Sequence, residues 1–362
     1  MVSHCESVFA DKVIDTFHSI IKYFSRNGCV ELDISYSLRA LHLRFNDELC
    51  ALCVKILTTD LFQSLDFYSA ICILSETMIA KAYAKINLGL RILRKRDDGF
   101  HDIETVFHRI NLFDEIMFEN SGSISLECGE PNIPTDDTNL CIRAAKLLKV
   151  KYNVAASVHL KLIKNIPGGA GLGGGSSDAA CVLLNLSKIW EIDITKEDLF
   201  LLASQLGSDV PYFLEKGTAY ATGRGEKLEY FELDVPYWIV LVYPNIHIST
   251  AWAYGNLKLK SVVDNESLKD ILIKHINHPK KLKEKIQNDF EDLVLEKHRE
   301  IDELKNSLYR YDADFVQMSG SGSSVYAFFN NEQAAIVATA SLKENYQTCL
   351  TRPGFNPSAI EQ

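Results

Sequence analysis

The chain lacks any run of about 18 uncharged apolar residues, because Asp60, Asp66 and Glu76 interrupt the best candidate, and this excludes a membrane-spanning helix. It also lacks a basic surplus. The formal net charge is -10, and the densest basic stretch, Pro279 to Lys285, is diluted by Glu284, so no nucleic-acid partner is expected. Residues 1 to 77 contain no proline and one glycine, Gly28, yet five of the nine cysteines. An odd number of cysteines scattered among apolar residues argues against a disulfide framework and for the reducing cytoplasm. The one C-x-x-C, Cys50 to Cys53, has no second ligand pair at zinc spacing, so no metal site is expected there.

The first 77 residues also lack the ordered regions of a targeting peptide, and Glu6, Asp11 and Asp15 are wrong for an acid-poor presequence. Apolar spacing through Val8 to Phe24 and Leu49 to Phe62 fits two or three helices. Either this is a helical appendage or the functional protein starts at Met78 and the upstream residues are a start-site artefact; the second reading is favoured.

What is abundant is glycine in one place. Between Pro167 and Ala180, six of fourteen residues are Gly, followed at once by a helix-forming run to Trp190. Bare backbone and an uncapped helix start together make an anion cradle. No Gly-Lys-Ser/Thr follows, which excludes a P-loop. A literal G-x-G-x-x-G at Gly169, Gly171 and Gly174, with Glu191 and Asp193 downstream, keeps a nicotinamide-dinucleotide oxidoreductase as the alternative. Against it, no series of parallel βαβ units surrounds the loop. The third reading is the triphosphate loop of a non-P-loop kinase.

Upstream, Ala82 to Ile92 alternates apolar and polar residues and predicts a half-buried strand, with Lys85 and Asn87 on its polar face. A solvated edge and a polar docking face both fit. Beyond the Asp98-Gly99 turn, Phe100 and His101 could hold a flat base or be ordinary surface residues. Extended segments are predicted near Glu104 to Ile110 and Glu115 to Glu119, and a helix from Asn139 to Lys149. Thr195 and Asp198 open a short helix that ends near Asp209, a carboxylate placed by a stiff turn before Pro211. Tyr237 to Tyr243 reads as a buried strand opening a second domain. Helices are expected over Lys269 to His275, Pro279 to Leu295 and Glu300 to Tyr309. A last glycine turn at Met318 to Ser323 precedes a strand, Val325 to Phe329, and a closing helix, Glu332 to Tyr346.

Taken in order, Ala84-Lys85-Ile86-Asn87-Leu88, Asp98-Gly99-Phe100-His101, Gly171-Leu172-Gly173-Gly174-Gly175-Ser176-Ser177, Gly207-Ser208-Asp209-Val210-Pro211, Gly223-Arg224-Gly225-Glu226, Asn288-Asp289-Phe290-Glu291 and Met318-Ser319-Gly320-Ser321-Gly322 resemble the galactokinase, homoserine kinase, mevalonate kinase and phosphomevalonate kinase (GHMP) superfamily. The form of the loop resembles its branch acting on a cytidine-diphosphate methylerythritol in the non-mevalonate isoprenoid pathway.

The resemblance covers about residues 78 to 362. It implies an α+β fold with a ribosomal-protein-S5-like domain at 78–235 and a ferredoxin-like domain at 236–362, using ATP and Mg2+. Lys85 and Asp209 match catalytic positions. Pro167, Gly169, Gly171, Leu172, Gly173, Gly174, Gly175, Ser176 and Ser177 match the triphosphate loop, and Asn139 a position near the adenine. Asn87, Phe100, His101 and Tyr254 match positions that hold the cytidine compound, the two aromatics sandwiching the base. Gly168 and Asp178 depart from common family residues. Gly174 stands where several relatives place a Ser that helps hold Mg2+, which leaves no protein ligand assigned to the metal. The implied partners are two small molecules, in a monomer or homodimer. A non-catalytic ligand-binding protein on this fold is a further alternative.

Overall fold

The computed structural model describes residues 78–259 and 266–359; the expectations for residues 1 to 77 lie outside them. The chain there begins with two long antiparallel strands, β1 (Met78–Lys95) and β2 (His101–Ser121), in register from Met78 opposite Phe118 to Lys95 opposite His101. β1 is not half-buried as its alternation predicts, since every residue from Ala82 to Leu90 is buried. Ala80 and Ala82 pack in one core cluster while Ala84, Ile86 and Leu88 pack in another, and other parts of the chain cover the polar positions. β2 likewise runs through the expected break. Asp114 stays in the ladder opposite Ala82, its buried carboxylate accepting from the Asn165 and Ile166 amides at 2.6 and 2.8 Å.

β3 (Ser125–Cys128), α1 (Leu140–Lys151) and β4 (Ser157–Ile163) follow, and α1 carries the crossover that lets β3 lie parallel to β4. The glycine loop leads into α2 (Gly174–Ile189), then α3 (Lys196–Leu206), whose Thr195 Oγ1 accepts from the Asp198 amide at 3.1 Å as the cap residues predict. A 3-10 turn (Val210–Leu214) leads to a hairpin, β5 (Thr218–Gly223) and β6 (Lys227–Phe231). The glycine turn at Thr222 to Glu226 is its tip. Strand order is β3-β4-β2-β5-β6, with β1 paired to β2.

The second sheet has order β10-β7-β9-β8 and is antiparallel throughout: β7 (Trp238–Tyr243), β8 (Phe315–Met318), β9 (Val325–Phe329) and β10 (Gln347–Thr351). With α4 (Thr250–Asn256), α5 (Leu268–His275), α6 (Pro279–Lys285), α7 (Glu291–Lys297) and α8 (Arg299–Arg310) before β8, and α9 (Glu332–Leu342) before β10, it is a split βαβ arrangement of ferredoxin type. The two sheets share a core in which Ile86 and Val106 pack with Tyr237, Ile239 and Tyr326.

The helix expected over Pro279 to Leu295 is interrupted at Ile286–Phe290. There the backbone leaves the helix to bond β1: the Leu90 amide donates to Gln287 O and the Asp289 amide to Leu90 O, both at 2.9 Å. Asn288 Nδ2 meanwhile donates to Met318 O and Gly320 O at 2.8 Å each. Asn288→Ala strips two buried carbonyls of their donor, so we expect about 1–3 kcal/mol of destabilisation in urea unfolding.

Candidate active site

Asp114 anchors the start of the glycine loop and Gly173, at φ 71°, ends it as the residue before α2. No side chain caps this helix. The first amides of α2 therefore face outward without helical partners, with the positive end of the helix dipole behind them. The Leu172 side chain is buried as an anchor, while its carbonyl accepts from the Lys85 amide at 3.0 Å. Ser177 Oγ donates inward to Tyr83 O at 2.7 Å, so of the two serines only Ser176 is left half-buried at the helix start. Pro167 is half-buried at the loop's entry, and Gly175 has ample room, its nearest neighbour being Leu140. The His247 ring lies so close to Gly169 that a Cβ there would sit 2.3 Å from it.

Beneath the loop lies Lys85, 4% exposed. Its Nζ donates to Asn87 Oδ1 at 2.7 Å and to Gly171 O at 3.3 Å, stands 3.6 Å from Asp209 Oδ2, and sits 4.9 Å from the centre of the Phe107 ring. Burial pulls the lysine below its ordinary pKa, and the Asp209 carboxylate opposes that shift. Asp209 itself is 34% exposed at its side chain. It precedes the Pro211 turn and faces the hairpin tip, 3.7 Å from where a Cβ on Gly225 would be. The buried ammonium and the part-exposed carboxylate form a charged pair with one open side.

Asn87 is committed on several atoms. Its Nδ2 donates to Thr105 Oγ1 at 2.9 Å and its amide to Ser319 Oγ at 3.2 Å. The solvated-edge reading of β1 therefore fails, because the third glycine turn, Met318 to Ser323, covers this face.

His101 and Tyr254 stack directly, ring centres 4.9 Å apart and planes at 26°, with Phe290 edge-on behind Tyr254. Burial and then Asp209 push the Tyr254 phenol up to about 12, which ties this aromatic wall to the carboxylate. Phe100 is 54% exposed and its ring lies 4.8 Å under the Arg224 guanidinium. Asn139 caps α1, accepting from the Cys141 amide at 2.8 Å and donating to Pro134 O at 2.7 Å.

Sequence reasoning missed Thr105, Phe107, His247 and Ser319. Only Ser319 carried a signal, in the third glycine turn. Among the described residues no group of three or more His, Cys, Asp or Glu could hold a metal ion, and no helix is long and apolar enough to cross a membrane. The dinucleotide reading also loses its structural support. β4, which feeds the loop, is antiparallel to β2 and parallel only to the short β3, rather than part of a doubly wound parallel sheet.

Comparison with known proteins agrees with this arrangement. Residues 139–217 match the family of GHMP kinases N terminal domains and residues 269–348 the GHMP kinases C terminal family. Over 280 residues the chain is 43% identical to the 4-diphosphocytidyl-2-C-methyl-D-erythritol kinase of Pelodictyon phaeoclathratiforme, covering 77% of this chain and 98% of that one. It is 44% identical over 278 residues to the protein of the same name from Chlorobaculum parvum, covering 76% and 97%. A crystal structure of 4-(cytidine 5'-diphospho)-2C-methyl-D-erythritol kinase superposes with a TM-score of 0.65 at 31% identity, over 77% of this chain and 100% of that one. A homoserine kinase from Cytophaga hutchinsonii superposes at 0.58 with 17% identity, over 79% and 98%, a likeness of fold alone.

Proposed function

The chain belongs to the 4-diphosphocytidyl-2-C-methyl-D-erythritol kinase family, and on that premise we propose that it transfers the γ-phosphoryl group of ATP to the C2 hydroxyl of 4-diphosphocytidyl-2-C-methyl-D-erythritol. The observation that carries this reading is the position of Lys85, which bonds the glycine loop at Gly171 O and pairs with Asp209 from the same Nζ. A phosphate-binding loop and a proton acceptor are thereby tied to one residue of β1.

In this reading residues 78–235 supply the nucleotide loop and residues 236–362 the turn that covers it. The ATP phosphates lie along Gly169 to Ser177, held by backbone amides and the α2 dipole. Asn139 lies beside the adenine, where its side chain also fixes the α1 cap. Asp209 takes the proton of the acceptor hydroxyl while that oxygen bonds the γ-phosphorus. The bond from the γ-phosphorus to the bridging oxygen breaks, and ADP leaves with the electron pair. Lys85 keeps Asp209 anionic and oriented. Asn87 fixes the lysine and borders the methylerythritol. Mg2+ would arrive bound to ATP and would neutralise phosphate charge; the described residues present no carboxylate set to hold it.

Tyr254 and His101 form the wall for the cytosine, with Phe100 at the rim. Base-on-aromatic stacking contributes about 1–3 kcal/mol. Tyr254→Ala should therefore raise KM for the cytidine substrate about tenfold and KM for ATP less than about twofold. Exposed Phe100 should give a smaller effect in the same direction when replaced by Ala. Steady-state kinetics with each substrate varied measures both.

The deciding assay is ADP release coupled to a reporter, with the cytidine compound as acceptor. Release that depends on the acceptor supports the kinase. Binding of ATP without turnover would point to a non-catalytic protein, and binding of NADH in place of ATP to the dinucleotide alternative.

A further inference from the structure

Behind the glycine loop lies a group of charges that the phosphoryl transfer above does not use. Lys164, at the end of β4, contacts Asp114 Oδ2 and donates to Asp178 Oδ2 at 2.8 Å. Both carboxylates are almost fully enclosed, Asp114 at 0% and Asp178 at 3% exposure. Asp178 Oδ1 has no hydrogen-bond partner at all. The lysine's Nζ lies 3.2 Å from where a Cβ on Gly174 would be, so the group touches the first residue of α2. Asp178 is one turn further along that helix, and helical side chains lean back toward the N-terminus.

One lysine against two ionised carboxylates leaves one uncompensated negative charge buried under a site built for anions. An ionised Asp178 would also keep an oxygen with no donor, a costly state for a carboxylate. A neutral Asp178 removes the uncompensated charge and lets the two carboxyl groups share a hydrogen bond beside Lys164. Burial, then the Asp114 charge and a hydrogen bond to Asp114, push the Asp178 carboxyl up to about 8 against the pull of Lys164. The other titratable neighbours are Cys141 on α1 and Cys181 on α2. Burial drives both thiols up, so neither ionises in the same range.

We propose that Asp178 is a proton-carrying positioning residue for the glycine loop: protonated, it makes the Asp114–Lys164–Asp178 group neutral beneath the start of α2, and its ionisation weakens binding of the nucleotide phosphates. The proposal rests on the reading that the loop holds ATP.

Two measurements on the full chain test it. The dissociation constant for MgATP, by calorimetry, should rise about three- to tenfold between about pH 7 and about pH 9.5, with Asp178→Asn binding almost independently of pH. The second measurement needs no nucleotide. A folded Asp178 that keeps a proton released on unfolding makes stability fall as pH rises between about 4 and about 8. The melting temperature of Asp178→Asn relative to the unsubstituted protein should therefore climb across that window. A pH-independent difference in melting temperature, or a variant whose binding keeps the full pH dependence, overturns the proposal. Failure of the unsubstituted protein to bind MgATP at any pH, with the melting difference still climbing, refutes the nucleotide loop and leaves the proton on Asp178.

Discussion

Replacing Asp209 by Ala is expected to lower kcat by at least about 10²-fold with the fold intact, the low end of what an oriented general base contributes. KM for ATP should change little, since the loop binds phosphate through backbone amides that Asp209 does not touch. The substitution also removes the counter-charge of a lysine that is 4% exposed and leaves that ammonium with the Asn87 and Gly171 oxygens and the Phe107 ring. Part of any loss could thus come from Lys85 moving. Asp209→Asn separates the two effects, since the amide oxygen can still accept from Lys85 but cannot take a proton at neutral pH. Equal losses in the Ala and Asn variants assign the effect to proton acceptance. A small loss in Asn with a large one in Ala assigns it to holding the lysine. Near-normal turnover in a folded Ala variant would sink the role of Asp209 altogether.

The elements that were legible in the sequence are those set by local chemistry. Thr195 capping α3, the buried run at β7 and the glycine loop entering α2 each depend on residues adjacent in the chain. What was not legible depends on contacts between segments far apart in the chain. Lys85 and Asn87 alternate as on a solvated strand face, yet the glycine loop closes over Lys85 at Gly171 and Ser319, 232 residues after Asn87, closes over Asn87. Pro279 to Leu295 has helical spacing throughout, yet the segment breaks because Asn288 and Asp289 bond to β1 and to the third glycine turn. The family resemblance implies Phe100 opposite Tyr254, whereas here His101 is the ring against Tyr254, and Phe100 lies under Arg224. Residue types suggested which rings were present, but the pairing depends on how α4 docks on the start of β2.

Gly171→Ala is expected to cost at least about 10²-fold in kcat/KM, the scale of an ångström-sized misplacement in a reacting site. Two independent constraints act at this residue. Its φ of 78° lies in the left-handed region, where a Cβ costs about 1–2 kcal/mol. That Cβ would also stand 2.2 Å from Ser319 O and 3.3 Å from Gly322 O, and these are backbone atoms that cannot rotate aside. Nor is the opposing turn free to retreat. Asn288 grips it at Met318 O and Gly320 O, and the Ser324 amide donates to Ala170 O at 3.3 Å. The loop would have to move instead, taking with it the Gly171 and Leu172 carbonyls that hold Lys85. Gly168→Ala is the control, because it adds the same methyl three residues earlier where nothing lies within 4 Å. It should stay within about twofold of normal activity, as a surface substitution does. If both variants behave alike in steady-state kinetics and melting, the close approach of the third glycine turn to Gly171 is not what sets the geometry of the loop over Lys85.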